Sequence, residues 1–227
     1  MQGQWISLIM SDEHAMPCYH LAPSGERRGG LVLVQEIFGV TEHIQEMCEE
    51  YAADGYEVIS PQLFDREQPG CNLGYSGADW ERAVQIARSE HDWDQGIKDT
   101  ARCISWLKEK GGPVFIAGYC FGGSVAWRMA QLSDDLDAAS CYYGGYIATR
   151  FADQAPRCAT ITHFGRYDSM VPIEPVEKLI EKQHPTAQHF IYEAGHGFNS
   201  DRRKDFHPES AELAKERTLM LFRALGG

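Results

Sequence analysis

The stretch Val114-Phe-Ile-Ala-Gly-Tyr-Cys-Phe-Gly-Gly-Ser124 decides the fold. An apolar run leads into Gly118-x-Cys120-x-Gly122, and a helix-like segment follows. This is the pattern of a nucleophile elbow, a tight strand-to-helix turn, with cysteine where serine is usual. Such a turn strains its central residue and exposes that side chain, and the flanking glycines let backbone come close. A thiol mounted there sits at a helix N-terminus, where the helix dipole favours thiolate over thiol. Taken alone, the pattern also fits a buried structural thiol, because cysteine is among the most buried residue types. The rest of the chain has to decide.

Working outward from the elbow, strand-like and helix-like segments alternate. Trp5–Met10 and Pro17–Ala22 read as an antiparallel pair, and Leu31–Gln35 as a buried strand. Glu42–Ala53 reads as an amphipathic helix with Ile44, Met47, Cys48 and Tyr51 on one face. Thr41 is its expected N-cap and Gly55 its stop. Glu57–Ser60 is a short strand ended by Pro61, and residues 62–79 read as a long loop rich in Gly, Pro, Asp and Asn. Helices are expected over Trp80–Arg88, Trp93–Lys110, Phe121–Gln131, Ile173–Gln183 and Ala211–Leu225. Further strands are expected over Pro113–Ala117, Asp137–Tyr143, Ala159–Phe164 and Gln188–Tyr192. The alternation implies an α/β fold, a mostly parallel sheet with helices on both faces, in one domain spanning residues 1–227. Such sheets place ligands beyond the carboxyl ends of their strands.

Composition narrows the function classes. The net charge of −12, with no long block of one sign, argues against nucleic acid and against anionic membrane surfaces. The seven cysteines are scattered, odd in number and form no C-x-x-C pair. No signal peptide and no membrane-spanning run is evident, so a reducing cytoplasm is the expected setting. The nine histidines show no H-E-x-x-H or similar spacing, so a metal is not expected. The expected partner is a small molecule, and the sequence leaves the oligomeric state open.

Three residues stand just after expected strands: Cys120, Asp168 in Gly165-Arg-Tyr-Asp-Ser-Met-Val-Pro172, and His196 in Ala194-Gly-His-Gly-Phe198. Their order is nucleophile, acid, histidine, the order of an α/β-hydrolase. The chemistry requires such a set. A thiol attacks an acyl carbon well only when deprotonated, so a base must lie within hydrogen-bond reach. A carboxylate holds that base in one tautomer. Singly, Asp168 reads as a turn former and His196 as a structural histidine more readily than as catalytic groups; their joint placement behind an elbow favours catalysis. Glu36 immediately follows Leu31–Gln35. It is either a solvated loop carboxylate or part of the same site. In this fold the loop after that strand and the residue after the nucleophile supply the oxyanion-hole N–H groups, here Ile37 or a neighbour and Phe121.

Gln35-Glu-Ile-Phe-Gly-Val40, Gly118-Tyr-Cys-Phe-Gly-Gly123, Tyr142-Tyr-Gly144, Asp168 with Val171-Pro172, and Gly195-His-Gly-Phe198 together resemble the dienelactone hydrolase family, the carboxymethylenebutenolidase type. The resemblance runs from about residue 30 to the end. It implies an α/β-hydrolase fold and cofactor-free hydrolysis of a lactone or ester, with Cys120 as nucleophile, His196 as base and Asp168 as orienting acid. It also implies that Glu36 pairs with the resting thiol until substrate swings the sulfur toward the histidine. Family members that cleave dienelactone hold its carboxylate with arginines, one of them shortly after the His-x-Phe. Here Asn199-Ser-Asp201 follows Phe198, so Arg202 and Arg203 are the candidates, with Arg82 on the helix after the long loop. Phe38, Trp80, Tyr143 and Phe198 are candidates for apolar walls, with core packing the equal alternative. The resulting expectation is a cysteine hydrolase of small, carboxylate-bearing lactones or esters. A general carboxylesterase or thioesterase is the nearest alternative. A binding or redox-sensing protein on the same scaffold is the alternative from another class.

Overall fold

A computed structural model describes residues 2–227. The chain runs β1 (Gln4–Ile9), β2 (Ala15–Leu21), β3 (Gly29–Val34), α1 (Glu42–Ala53), β4 (Tyr56–Pro61), α2 (Gly77–Gln85), a π turn (Ile86–Glu90) and α3 (Trp93–Lys108). It continues β5 (Val114–Tyr119), α4 (Phe121–Leu132), β6 (Ala138–Tyr142), α5 (Gly145–Thr149), β7 (Ala159–Gly165), α6 (Ile173–Glu181), β8 (Ala187–Tyr192) and α7 (Pro208–Ala224). The strands form one eight-stranded sheet in the order β1-β2-β4-β3-β5-β6-β7-β8. The β1–β2 and β2–β4 pairs are antiparallel and all the others are parallel. This is an α/β-hydrolase fold.

Both faces of the central strands are covered, which is why β3 and β5 read as unbroken apolar runs. Along β3, Val32 and Val34 turn to the side packed by α3 and α4, where Cys103, Ile104, Leu107, Val125 and Trp127 lie. Leu31 and Leu33 turn to the opposite side, against Ile44, Cys48 and Tyr51 of α1 and Phe222 of α7. The alternation is the period-two geometry of a strand buried between two helical layers.

Several boundaries differ from the sequence reading, each for a local reason. The helix expected over Trp80–Arg88 begins earlier and breaks into the π turn, closed by the His91 N–H donating to the Ile86 carbonyl at 2.9 Å. The last helix starts at Pro208, whose missing N–H is harmless in a first turn, and the His207 ring accepts from the Ser210 N–H. Thr41 is the N-cap residue of α1 but its hydroxyl bonds the Tyr75 hydroxyl at 3.1 Å instead of a helix N–H. The long loop is packed rather than loose. Leu63, Phe64, Cys71 and Leu73 are buried, and the Leu73 N–H donates to the Phe38 carbonyl.

Candidate active site

Cys120 occupies the turn between β5 and α4 at φ 55° and ψ −113°, left-handed backbone that a non-glycine residue adopts only under constraint. Two glycines create the constraint. A Cβ on Gly118 would lie 2.1 Å from the Gly122 carbonyl oxygen, and one on Gly122 would lie 2.3 Å from the Val34 carbonyl oxygen. The Cys120 N–H donates to the Tyr142 carbonyl, and the Gly122 N–H to the Gln35 carbonyl, each at 3.0 Å. The elbow is thereby tied to β6 on one side and to the loop after β3 on the other.

The three residues that follow the ends of β5, β7 and β8 meet. The His196 Nε2 lies 3.2 Å from the Cys120 Sγ, and its Nδ1 lies 2.8 Å from the Asp168 Oδ2. The second Asp168 oxygen accepts the N–H groups of Met170 at 2.7 Å and Val171 at 2.9 Å. The Asp168 side chain is 0% exposed. A carboxylate so enclosed and so fully bonded fixes the imidazole plane and tautomer. Burial works against the charged imidazole, but the sulfur of Cys120 and the hydrogen bond that His196 donates to Asp168 outweigh it and hold His196 up at about 10.

The other six cysteines are buried, whereas Cys120 is half-buried. Burial pushes Cys71 and Cys158 up to about 11, and pushes Cys48 and Cys141 up as well. Among the described residues, no group of three or more His, Cys, Asp or Glu side chains is placed to hold a metal ion. Nor is any helix among them long and apolar enough to cross a membrane.

Cys120, Phe121, Ile37 and His196 open onto a cavity of ≈ 270 Å³. Val84, Tyr146, Met170 and Val171 supply its apolar surface, with Arg88 at the rim. The sequence reading missed these residues. Tyr146 sits on α5, a single turn too short to show periodicity, held by its N–H donating to Ser124 Oγ at 3.1 Å. Tyr146 and Met170 do follow β6 and β7, so the strand-end rule applied to every strand would have marked both segments.

Glu36 is 1% exposed, and neither carboxylate oxygen has a hydrogen-bond partner among the described residues. Its nearest cation is Arg203, whose Nη1 stands 3.7 Å from Oε1, too far for a hydrogen bond. The Arg203 guanidinium also lies over the rings of Phe38 at 5.4 Å and Tyr75 at 5.8 Å. The sulfur of Cys120 is on His196 rather than on Glu36. Tyr143 is fully buried, its ring edge-on to His196 at 5.1 Å and to Phe198 at 5.4 Å. Burial, reinforced by the negative charges of Glu36 and Cys120, pushes its phenol well up, so it stays neutral.

The remaining candidates lie outside the cavity. Arg82 donates to Glu90 at 2.6 Å and to Gln68 at 3.0 Å. Arg202 pairs with Glu46 at 2.6 Å and with Asp201, beside a separate cleft between α1 and α7. Phe38 and Phe198 are fully buried packing residues, and Trp80 is 39% exposed away from the cavity.

An α/β-hydrolase fold with a cysteine, histidine and aspartate in line at its strand ends defines the class of protein. The chain belongs to the dienelactone hydrolase family, whose family model matches residues 16–226. It is 33% identical over 237 residues to a Yersinia pestis protein provisionally named carboxymethylenebutenolidase, with 96% of this chain and 87% of that one covered. A protein of the same provisional name from Escherichia coli K12 is 31% identical over 238 residues, covering 96% of this chain and 86% of that one. The crystal structure of a provisionally named dienelactone hydrolase from Klebsiella pneumoniae superposes with a TM-score of 0.83 at 28% identity, covering 97% of this chain and 98% of that one. The protein is therefore a hydrolase acting on ester or lactone bonds.

Proposed function

We propose that the chain, as a single catalytic domain, hydrolyses a small carboxylate-bearing lactone or ester through a thioester on Cys120. The observation that carries this reading is the Cys120–His196–Asp168 line, 3.2 and 2.8 Å, at a strained elbow facing the cavity. His196 holds the thiol proton, and the thiolate attacks the acyl carbon. The N–H groups of Ile37 and Phe121 receive the developing oxyanion. Collapse breaks the carbon–oxygen bond, and His196 returns the proton to the leaving alkoxide, which stays tethered when the substrate is a lactone. His196 then takes a proton from water, whose oxygen attacks the thioester and releases the acid and the thiolate. Asp168 orients His196 throughout. Glu36 serves as the alternative partner of the sulfur between turnovers.

The test is a pre-steady-state burst with p-nitrophenyl acetate. We expect p-nitrophenolate released in amount equal to enzyme, and one acetyl group on the Cys120 peptide after acid quench. Cys120→Ala should lose hydrolysis by on the order of 10³-fold or more while its circular dichroism is unchanged. Wild-type turnover in that variant removes the proposed nucleophile. The largely apolar cavity lining favours a second reading, a general carboxylesterase that turns over neutral esters as well as acids.

A further inference from the structure

We propose that Arg88, presented by the π turn, is the subsite that binds the anionic group of the substrate, in place of Arg82, Arg202 and Arg203. This rests on the hydrolase reading above and names the residue that sets its substrate preference. Arg82 spends its guanidinium on Glu90, Gln68 and the Glu67 carbonyl. Arg202 is committed to Glu46 and Asp201. Arg203 lies against the buried Glu36. Arg88 is different on every count. It lines the cavity that Cys120 and His196 face, it is exposed, and among the described residues it makes no ion pair or side-chain hydrogen bond. No aspartate or glutamate lines that cavity, so nothing there competes for the guanidinium.

The π turn is what separates the two arginines. Its i-to-i+5 bond, from the His91 N–H to the Ile86 carbonyl, widens the last turn of the helix. Glu90, at the end of that turn, comes back over α2 and accepts from Arg82 at 2.6 Å and from Gln85 at 2.7 Å. The same backbone feature therefore neutralises Arg82 and leaves Arg88 free at the cavity. A planar fork with unspent donors, beside apolar walls, is suited to bidentate capture of a carboxylate. At a net charge of −12 the chain repels anions at long range, so the preference has to be set at this short range.

The experiment compares kcat/KM for monophenyl succinate, an acid, and for phenyl methyl succinate, its neutral methyl ester. Wild type should prefer the acid. Arg88→Ala and Arg88→Gln should lower the acid-to-ester ratio by about 10- to 100-fold, the range of one charge-assisted hydrogen-bonding partner. Arg88→Lys should fall between, and Arg82→Ala should keep the wild-type ratio. A wild-type ratio near one, a ratio unmoved by loss of Arg88, or an equal fall in Arg82→Ala overturns the proposal. A separate arm is independent of catalysis. Calorimetric binding of succinanilic acid, the uncleaved amide analogue, should weaken about tenfold in Arg88→Gln. Equal binding in that variant also overturns the proposal. Failure of both esters to be cleaved counts against the hydrolase reading, and the amide titration still decides on Arg88.

Discussion

Asp168 and Glu36 are both buried carboxylates of this site, and the structure treats them in opposite ways. Asp168 receives two backbone N–H groups on one oxygen and His196 on the other. Among the described residues Glu36 receives no hydrogen bond, and Arg203 at 3.7 Å is its nearest cation. A full charge pair at about 4 Å contributes about 4 kcal/mol at an intermediate dielectric, but it leaves the lone pairs unbonded. An unpartnered buried carboxylate costs several kcal/mol. The bonded carboxylate is a fixed part of the site. The orphaned one leaves both acceptor oxygens open to a donor.

The comparison breaks most visibly on the bonded side. Asp168→Asn keeps the volume and one acceptor but presents an amide that disfavours the required tautomer of His196. The expected loss in kcat is about 10²–10⁴-fold with little change in KM. A loss under tenfold shows that Met170 and Val171, rather than the carboxylate charge, do the orienting. On the orphaned side, Glu36→Gln removes the charge and adds a donor. We expect kcat to change on the order of tenfold and the pH profile of iodoacetamide alkylation at Cys120 to shift. If rate and profile both match wild type, Glu36 is no partner of the sulfur.

The bonded side also carries a pH signature. His196 moves from an unfolded value of 6.5 to about 10 in the fold, so between those values this group, taken alone, carries a proton in the folded chain that it lacks in the unfolded one. Its stabilising contribution is full below about 6.5 and is lost as pH rises through about 10. Urea midpoints taken across that window should fall more steeply for wild type than for His196→Asn. Parallel slopes would show that the proton on His196 is not taken from solvent on folding, as when it is passed from the Cys120 thiol.

The two sides also differ in how far the sequence reveals them. Cys120, Asp168 and His196 follow three strands whose apolar runs are legible, so the sheet alone brings them together. The helix Glu42–Ala53 is legible to the residue, because its apolar face repeats at helical spacing and Gly55 stops it. The surroundings of Glu36 come instead from Phe38, Tyr75, Tyr143 and Arg203, residues spread along the chain with no shared pattern. The same limit hid the cavity walls. A π turn has the side-chain spacing of an ordinary helix over so short a span, so Arg82 and Arg88 read alike until the backbone separates them.

The smallest expected effect sharpens the comparison furthest. The Tyr143 hydroxyl is buried and, like Glu36, has no hydrogen-bond partner among the described residues. Its ring supports His196 edge-on at 5.1 Å and touches Phe198, contacts that Tyr143→Phe retains. Removing a bonded hydroxyl from a protein interior costs about 1–2 kcal/mol, whereas removing an orphaned one relieves its desolvation. Tyr143→Phe should therefore leave stability within about 1 kcal/mol of wild type, on the stable side, by urea unfolding. A loss beyond about 1.5 kcal/mol would mean that the hydroxyl is bonded in solution, to water or to Glu36. The Glu36 side would then be satisfied after all, and its contrast with Asp168 would lie in mobility rather than in unpaired charge.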